Sequence, residues 1–138
     1  MIAVIDTCVI LDAVMERAGF CDDAKRTLEL VADGEVSGLI TVKSLMDLHY
    51  VIKHINNNEQ ETRDILKNIL IVLRLVDSCS KDAIVALNSS VNDYEDALMC
   101  ETAVSIGADC IVTRNLKDYK KSSIKAISPK DFLQKFTR

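Results

Sequence analysis

A chain of 138 residues with 49% hydrophobic and 28% charged side chains has room for one folded domain, and its balance excludes a disordered or fibrous protein. The net charge of −4 argues against a protein that holds nucleic acid by electrostatics alone. Five cysteines, an odd number with no C-x-x-C pair, point to reduced thiols, mostly in the core, rather than to a disulfide frame or a zinc site.

The chain opens MIAVIDTCVILD, and its apolar run from Ile2 to Ile5 reads as a buried strand. This segment lacks a basic leader and carries Asp6 and Asp12, so no signal peptide is expected. No apolar run approaches the roughly 20 residues of a bilayer span, and the expectation is a cytoplasmic protein with no membrane association. Cys8 to Arg17 and Phe20 to Ala32 read as helices, the second with an apolar stripe from Ala24, Leu28 and Val31. Gly34 stops it, and Val36 to Ile40 is a second strand. Thr41 caps a third helix running to about His54, ended by Asn56-Asn57-Asn58. His49 and His54 fall on different faces of that helix and read as ordinary helix residues, with His54 a candidate substrate contact.

Glu59 to Leu70 reads as a fourth helix and Ile71 to Val76 as a third strand, although the apolar pattern runs through that boundary. A short helix follows from Lys81 to Asn88. Asn92 or Asp93 caps the next, which ends at Gly107. Cys110 to Thr113 is a fourth strand and Ile124 to Ile127 a fifth. Ser128 and Pro129 open the last helix, where the missing proline N–H costs nothing. Strands separated by helices imply parallel pairing, and so a single α/β domain over residues 1–138 with a five-stranded parallel sheet flanked by helices on both faces.

In such folds the site lies beyond the carboxyl ends of the strands, where strand order reverses. The first strand ends in Asp6-Thr7, and the fourth in Thr113-Arg114-Asn115 followed by Asp118. Asp93 and Asp96 share a face at the start of the helix preceding the fourth strand. Carboxylates gathered this way suit Mg²⁺ or Mn²⁺ rather than zinc, and bound cations would offset part of the acidic charge. Each acid also has a plainer role. Asp6 is placed to cap the first helix, Asp93 to cap a later one with Glu95 or Asp96 completing the cap, and Asp118 to sit solvated beside Lys117, Lys120 and Lys121.

The segments VIDTCVILDAV, SLMDLHYVI and NDYEDALMCETAVSIGADCIVTRNLKDY resemble the PIN-domain family, in the family's motif order and over nearly the whole chain. SPKDFL resembles the close of one branch of these domains. The resemblance implies a metal-dependent nuclease with acids clustered at the carboxyl edge of a five-stranded parallel sheet. By position, Asp6 is the first acid, Asp96 the third and Asp118 the fourth, with Thr113 and Asn115 the polar residues that hold the cluster. The second acid, usually glutamate, falls on Asp47, one methylene shorter and surrounded by Met46, Leu48, Tyr50 and Val51. Asp93 is an additional acid placed to assist. Substrate contacts are expected from Arg114, Lys117 and Lys120, with Lys121 and Lys125 nearby; a solvated charged loop is the plainer account of that run.

The expected chemistry is in-line attack of water on a phosphodiester, assisted by one or two Mg²⁺ or Mn²⁺ ions, about 4 Å apart if two. Family resemblance implies an RNA substrate, an antitoxin protein that inhibits a toxin of this kind, and a homodimer. A PIN fold with weak or absent catalysis, acting as an RNA- or protein-binding module, is the main alternative. A phosphatase with a nucleophilic Asp6 would need an aspartate where Cys8 stands, and a receiver domain would need one at the end of the middle strand, near Asp77.

Overall fold

The computed structural model describes residues 1–137. Chain order is β1 (Ile2–Ile5), α1 (Thr7–Val14), α2 (Cys21–Ala32), β2 (Ser37–Thr41), α3 (Val42–Asn56), α4 (Glu59–Val72), β3 (Arg74–Val76), α5 (Ser80–Ala86), α6 (Tyr94–Ser105), β4 (Cys110–Val112), β5 (Ala126–Ile127) and α7 (Pro129–Gln134). A 3-10 turn over Leu116–Tyr119 lies between β4 and β5. All strand pairs are parallel, in the order β3-β2-β1-β4-β5.

Parallel strands covered on both faces must be apolar on both, and β1 shows why its run does not alternate. Ala3 and Ile5 join Ile40, Cys110 and Val112 in a core that takes in Val9, Ile10, Leu48, Ile52 and Phe132 from the helices. Val4 points the other way, with Leu39 and Ile111, into a second core built from Ala97, Cys100 and Ala103 of α6 and Ala86 of α5. The period of two is intact; both phases are apolar because both faces are buried. Gly38 in β2 is required by close packing, since a Cβ there would lie 2.6 Å from Val31 Cγ2 and 2.8 Å from Leu73 Cδ2.

Several boundaries differ from the sequence reading. Helix α1 stops at Val14 rather than near Arg17, and Glu16 takes a left-handed conformation with φ 51°. Helix α4 runs on to Val72, leaving β3 only Arg74–Val76. Ile71 is 82% exposed while Ile69 is buried, the facing of a helix rather than of a buried strand. The polar loop expected after β4 contains the 3-10 turn, and Ile124 lies outside β5. All five cysteines are unpaired; Cys100 and Cys110 are buried, Cys8 and Cys21 half-buried, and Cys79 is exposed. Among the described residues no helix is long and apolar enough to cross a membrane.

The chain winds outward from β1 through β2 to β3, then returns to place β4 on the other side of β1. The winding direction therefore reverses between β1 and β4, and the crevice beyond their carboxyl ends is where a site is expected.

Candidate functional site

Asp6 ends β1 and is the N-cap of α1, its carbonyl accepting from the amides of Val9 and Ile10. Its side chain makes no capping hydrogen bond. It turns instead across the switch point, where the buried Thr113 hydroxyl donates to Oδ2 at 2.7 Å. Thr113 Oγ1 in turn accepts from the Asn115 amide at 3.0 Å. The capping role open to Asp6 is thus not taken up by its side chain, and a buried carboxylate is held by the strand on the opposite side of the crevice.

Cys8 lies beside this pair, its thiol donating to Asp6 Oδ2 at 3.5 Å and standing 3.7 Å from Thr113 Oγ1. Burial, reinforced by the Asp6 charge, pushes the thiol up to about 11, so it remains neutral and unreactive.

Asp96 stands in the first turn of α6. The N-cap is Asp93, whose Oδ1 accepts from the Asp96 amide at 3.1 Å. Asp93 therefore does take the plainer role, and its side chain does not line the crevice. Burial pushes the Asp96 carboxyl up to about 6; a hydrogen bond from the Tyr119 hydroxyl opposes this, and the charges of Asp93, Asp6 and Asp118 add to it. The Tyr119 hydroxyl donates to Asp96 Oδ1 at 3.1 Å. The same burial and charges raise the Tyr119 pKa, so the phenol stays protonated as a donor.

Asp6, Asp96, Asp47 and Asn115 line one cleft of ≈ 260 Å³, together with Lys43, Glu95 and Arg17. Asp47 is not ringed by apolar neighbours as its sequence context implied: the helix turns Met46 and Tyr50 to solvent, and Asp47 meets Lys43. The Lys43 ammonium bridges Asp47 Oδ2 and Glu95 Oε2, the latter at 2.7 Å. Asp118 sits exposed on the 3-10 turn and is not on the cleft wall, although its charge acts on Asp96.

The expected basic contacts separate. Arg114 is committed to Asp12 of α1: Nε lies 2.5 Å from Oδ2, and Nη2 donates to Oδ1 at 3.1 Å. Its guanidinium also covers the Phe20 ring, 4.1 Å from the centroid. Lys117 and Lys120 are exposed on and just after the 3-10 turn. His49 pairs with Glu59, and His54 stacks on Tyr50 away from the cleft wall.

Sequence reasoning missed Lys43, Arg17, Tyr119 and Glu95. Lys43 was legible only as the residue four before Asp47, a spacing that places both on one helical face. Tyr119 was visible inside the TRNLKDY segment, but its aim at Asp96 depends on the 3-10 turn.

The donor chemistry fits a hard divalent cation. Asp6 and Asp96 supply carboxylate oxygens, and among the described residues no ion pair reaches either. Burial first, and then the charges of Asp93, Asp6 and Asp118, raise the Asp96 carboxyl, and a bound cation would counter both. Among the described residues no three His, Cys, Asp or Glu side chains converge as a ready ligand set, and Asp47 is held by Lys43.

Comparison with known proteins agrees with this architecture. No curated protein matches the chain. Among solved structures, a chain of VapBC2 from Rickettsia felis bound to a DNA fragment from its promoter superposes with TM-score 0.74 at 20% identity, over 93% of this chain and 98% of that one. A chain of a toxin-antitoxin complex from Klebsiella pneumoniae gives 0.67 at 24% identity, over 92% and 97%. A chain of VapBC-1 from nontypeable Haemophilus influenzae gives 0.70 at 13% identity, over 94% and 99%. At these identities the likeness speaks to the fold. Residues 3–117 match the PIN domain family in sequence, and the protein belongs to that family.

Proposed function

We propose that this PIN domain is a metal-dependent endoribonuclease that hydrolyses RNA phosphodiesters with Mg²⁺ or Mn²⁺. We further propose that it is the toxin of a toxin–antitoxin pair, a cytoplasmic homodimer inhibited by an antitoxin protein. The observation that carries the nuclease reading is the convergence of Asp6 and Asp96, 90 residues apart in the chain, on one cleft at the switch point between β1 and β4. The similar structures taken from toxin–antitoxin complexes support the biological role. The family supports RNA as substrate, since acidic metal sites do not themselves distinguish RNA from DNA.

A bound divalent cation supplies Lewis-acid stabilisation of the phosphodiester and a lowered pKa for the attacking water. The chain's own residues prepare the site. Thr113 holds one oxygen of Asp6, and the Cys8 thiol donates to the same oxygen. Tyr119 fixes Asp96 by donating to Oδ1, which leaves Oδ2 for a ligand. Asp47 and Asn115 complete the polar wall, and Asp118 adds negative charge from outside it. Lys117 and Lys120 are exposed cations on the β4–β5 connection suited to phosphate contact, with Lys121 and Lys125 exposed beside them, while Arg17 offers a guanidinium on the cleft itself. Arg114 acts in support, through Asp12.

Cleavage of a mixed-sequence RNA by purified protein with Mn²⁺, beside an Asp96→Asn variant, tests the reading. The expected result is cleavage by the wild type that disappears in the variant and in chelator. Equal cleavage by both proteins would remove Asp96 from the site and sink the assignment. No cleavage by either, with RNA still bound, would favour a non-catalytic binding module.

A further inference from the structure

Lys43 stands in the first turn of α3, where the partial positive charge of the helix N-terminus disfavours a cation. Its partner on the same helix, Asp47, follows it by four, the less favourable order for an acid–base pair. Local helix energetics therefore do not account for its position. What does is the second carboxylate, Glu95, delivered from the first turn of α6 on another part of the fold. The ammonium takes Asp47 Oδ2 and Glu95 Oε2 at once, with its side chain 32% exposed on the cleft wall. An ammonium has three donors in a compact charge, so it satisfies two carboxylates and keeps one donor in reserve.

The cleft consequently divides into two. Asp47 and Glu95 form a side bridged by one ammonium, whereas Asp6 and Asp96 form a side held by hydroxyl and thiol groups, which no ion pair reaches among the described residues. We propose that Lys43 is the resident cation of one half of this cleft, bridging Asp47 and Glu95 and offsetting half of their charge, so that the chain takes a single divalent ion, at Asp6 and Asp96. The inference rests on the metal-nuclease reading and deepens it. It also gives the short Asp47 a use: an aspartate four residues from a lysine on one helical face closes an ion pair directly.

The test is calorimetric titration of the full chain with Mn²⁺, which reads binding without reference to activity. The proteins compared are wild type, Lys43→Arg, Lys43→Met, Lys43→Gln, Lys43→Met with Asp47→Asn, and Asp96→Asn. The wild type and Lys43→Arg are expected to bind a single ion, which Asp96→Asn weakens at least about tenfold. Lys43→Met and Lys43→Gln are expected to bind a second ion, lost again when Asp47→Asn is added. Lys43→Gln keeps the test open if the methionine variant does not fold. Two ions on the wild type, or one ion at unchanged affinity on both neutral variants, would overturn the role of Lys43 and leave the metal site standing. Absence of Mn²⁺ binding by every protein would overturn the metal reading itself, and the inference with it.

Discussion

Arg114 and Asp12 join the two elements that flank the switch point. Asp12, 1% exposed on α1, receives the Arg114 guanidinium from the residue directly after Thr113, and Arg17 approaches the same carboxylate at 3.6 Å. Asp6 is the N-cap of helix α1, and Thr113 holds Asp6. The pair therefore closes a loop of contacts around the first acid of the site, from β1 through α1 to the end of β4 and back.

Breaking that pair on one side should be costly, because the buried Asp12 carboxylate is left with only the longer contact to Arg17. Arg114→Met is expected to destabilise the fold by about 3–5 kcal/mol in urea unfolding. Pairing it with Asp12→Leu removes the poorly compensated buried charge and should recover most of the loss. A double variant no more stable than Arg114→Met would show that packing against Phe20, rather than charge, sets the cost.

Gly38 tests how tightly α2 and α4 close on β2. Its substitution by alanine places a methyl group within 3 Å of Val31 and Leu73, both in the core. Overpacking at such a position is expected to cost about 1–3 kcal/mol, read as a lower denaturation midpoint at unchanged m. A neutral Gly38→Ala would mean that the Val31 side chain yields freely.

Asp82 ties α5 to α6, accepting from the Cys79 amide at 2.9 Å and from the Ser105 hydroxyl. Burial alone would raise its carboxyl; the Ser105 and Cys79 hydrogen bonds outweigh it and the net direction is down. A folded pKa below the unfolded one means that the charged form stabilises the fold above the unfolded value, about 3.9, and that the stabilisation is lost as pH falls through the folded value. Asp82→Asn should therefore lose about 1–3 kcal/mol between pH 5 and 8, and the gap to wild type should close in more acidic solution. A gap that stays constant down to the acid limit would assign the loss to the altered cap alone.

Tyr119→Phe removes the one side-chain hydrogen bond to the Asp96 carboxylate among the described residues, while keeping the ring in its core. Under the nuclease reading, Mn²⁺-dependent RNA cleavage is expected to fall about 2- to 10-fold, with thermal stability nearly unchanged. A variant as active as wild type would show that Asp96 needs no such support.

Much of this architecture is legible along the chain because its signals are local. The apolar run Ile2–Ile5, Thr41 as an N-cap, Gly107 after α6 and Pro129 at the start of α7 each act within one turn or one strand, and all fall where expected. The end of α4 was not legible, since Ile69, Leu70, Ile71 and Val72 are apolar in every phase and satisfy a helix as well as a strand. Asp6 and Asp96 line one cleft, whereas Asp93 and Arg114 each have two chemically sound partners and the fold chooses the structural one.

By itself the sequence determined the order and type of the elements, the parallel α/β class and the family, since periodicity, caps and motif order are properties of neighbours in the chain. Only the tertiary structure decided which charges meet. Asp6 with Thr113, Arg114 with Asp12, and Lys43 with Glu95 are separated by 50 or more residues, and each pair depends on the strand order that sets β1 beside β4 or on the packing that brings α3 to the start of α6. Electrostatic partnership acts through space over a few ångströms, and no local pattern in the chain encodes it.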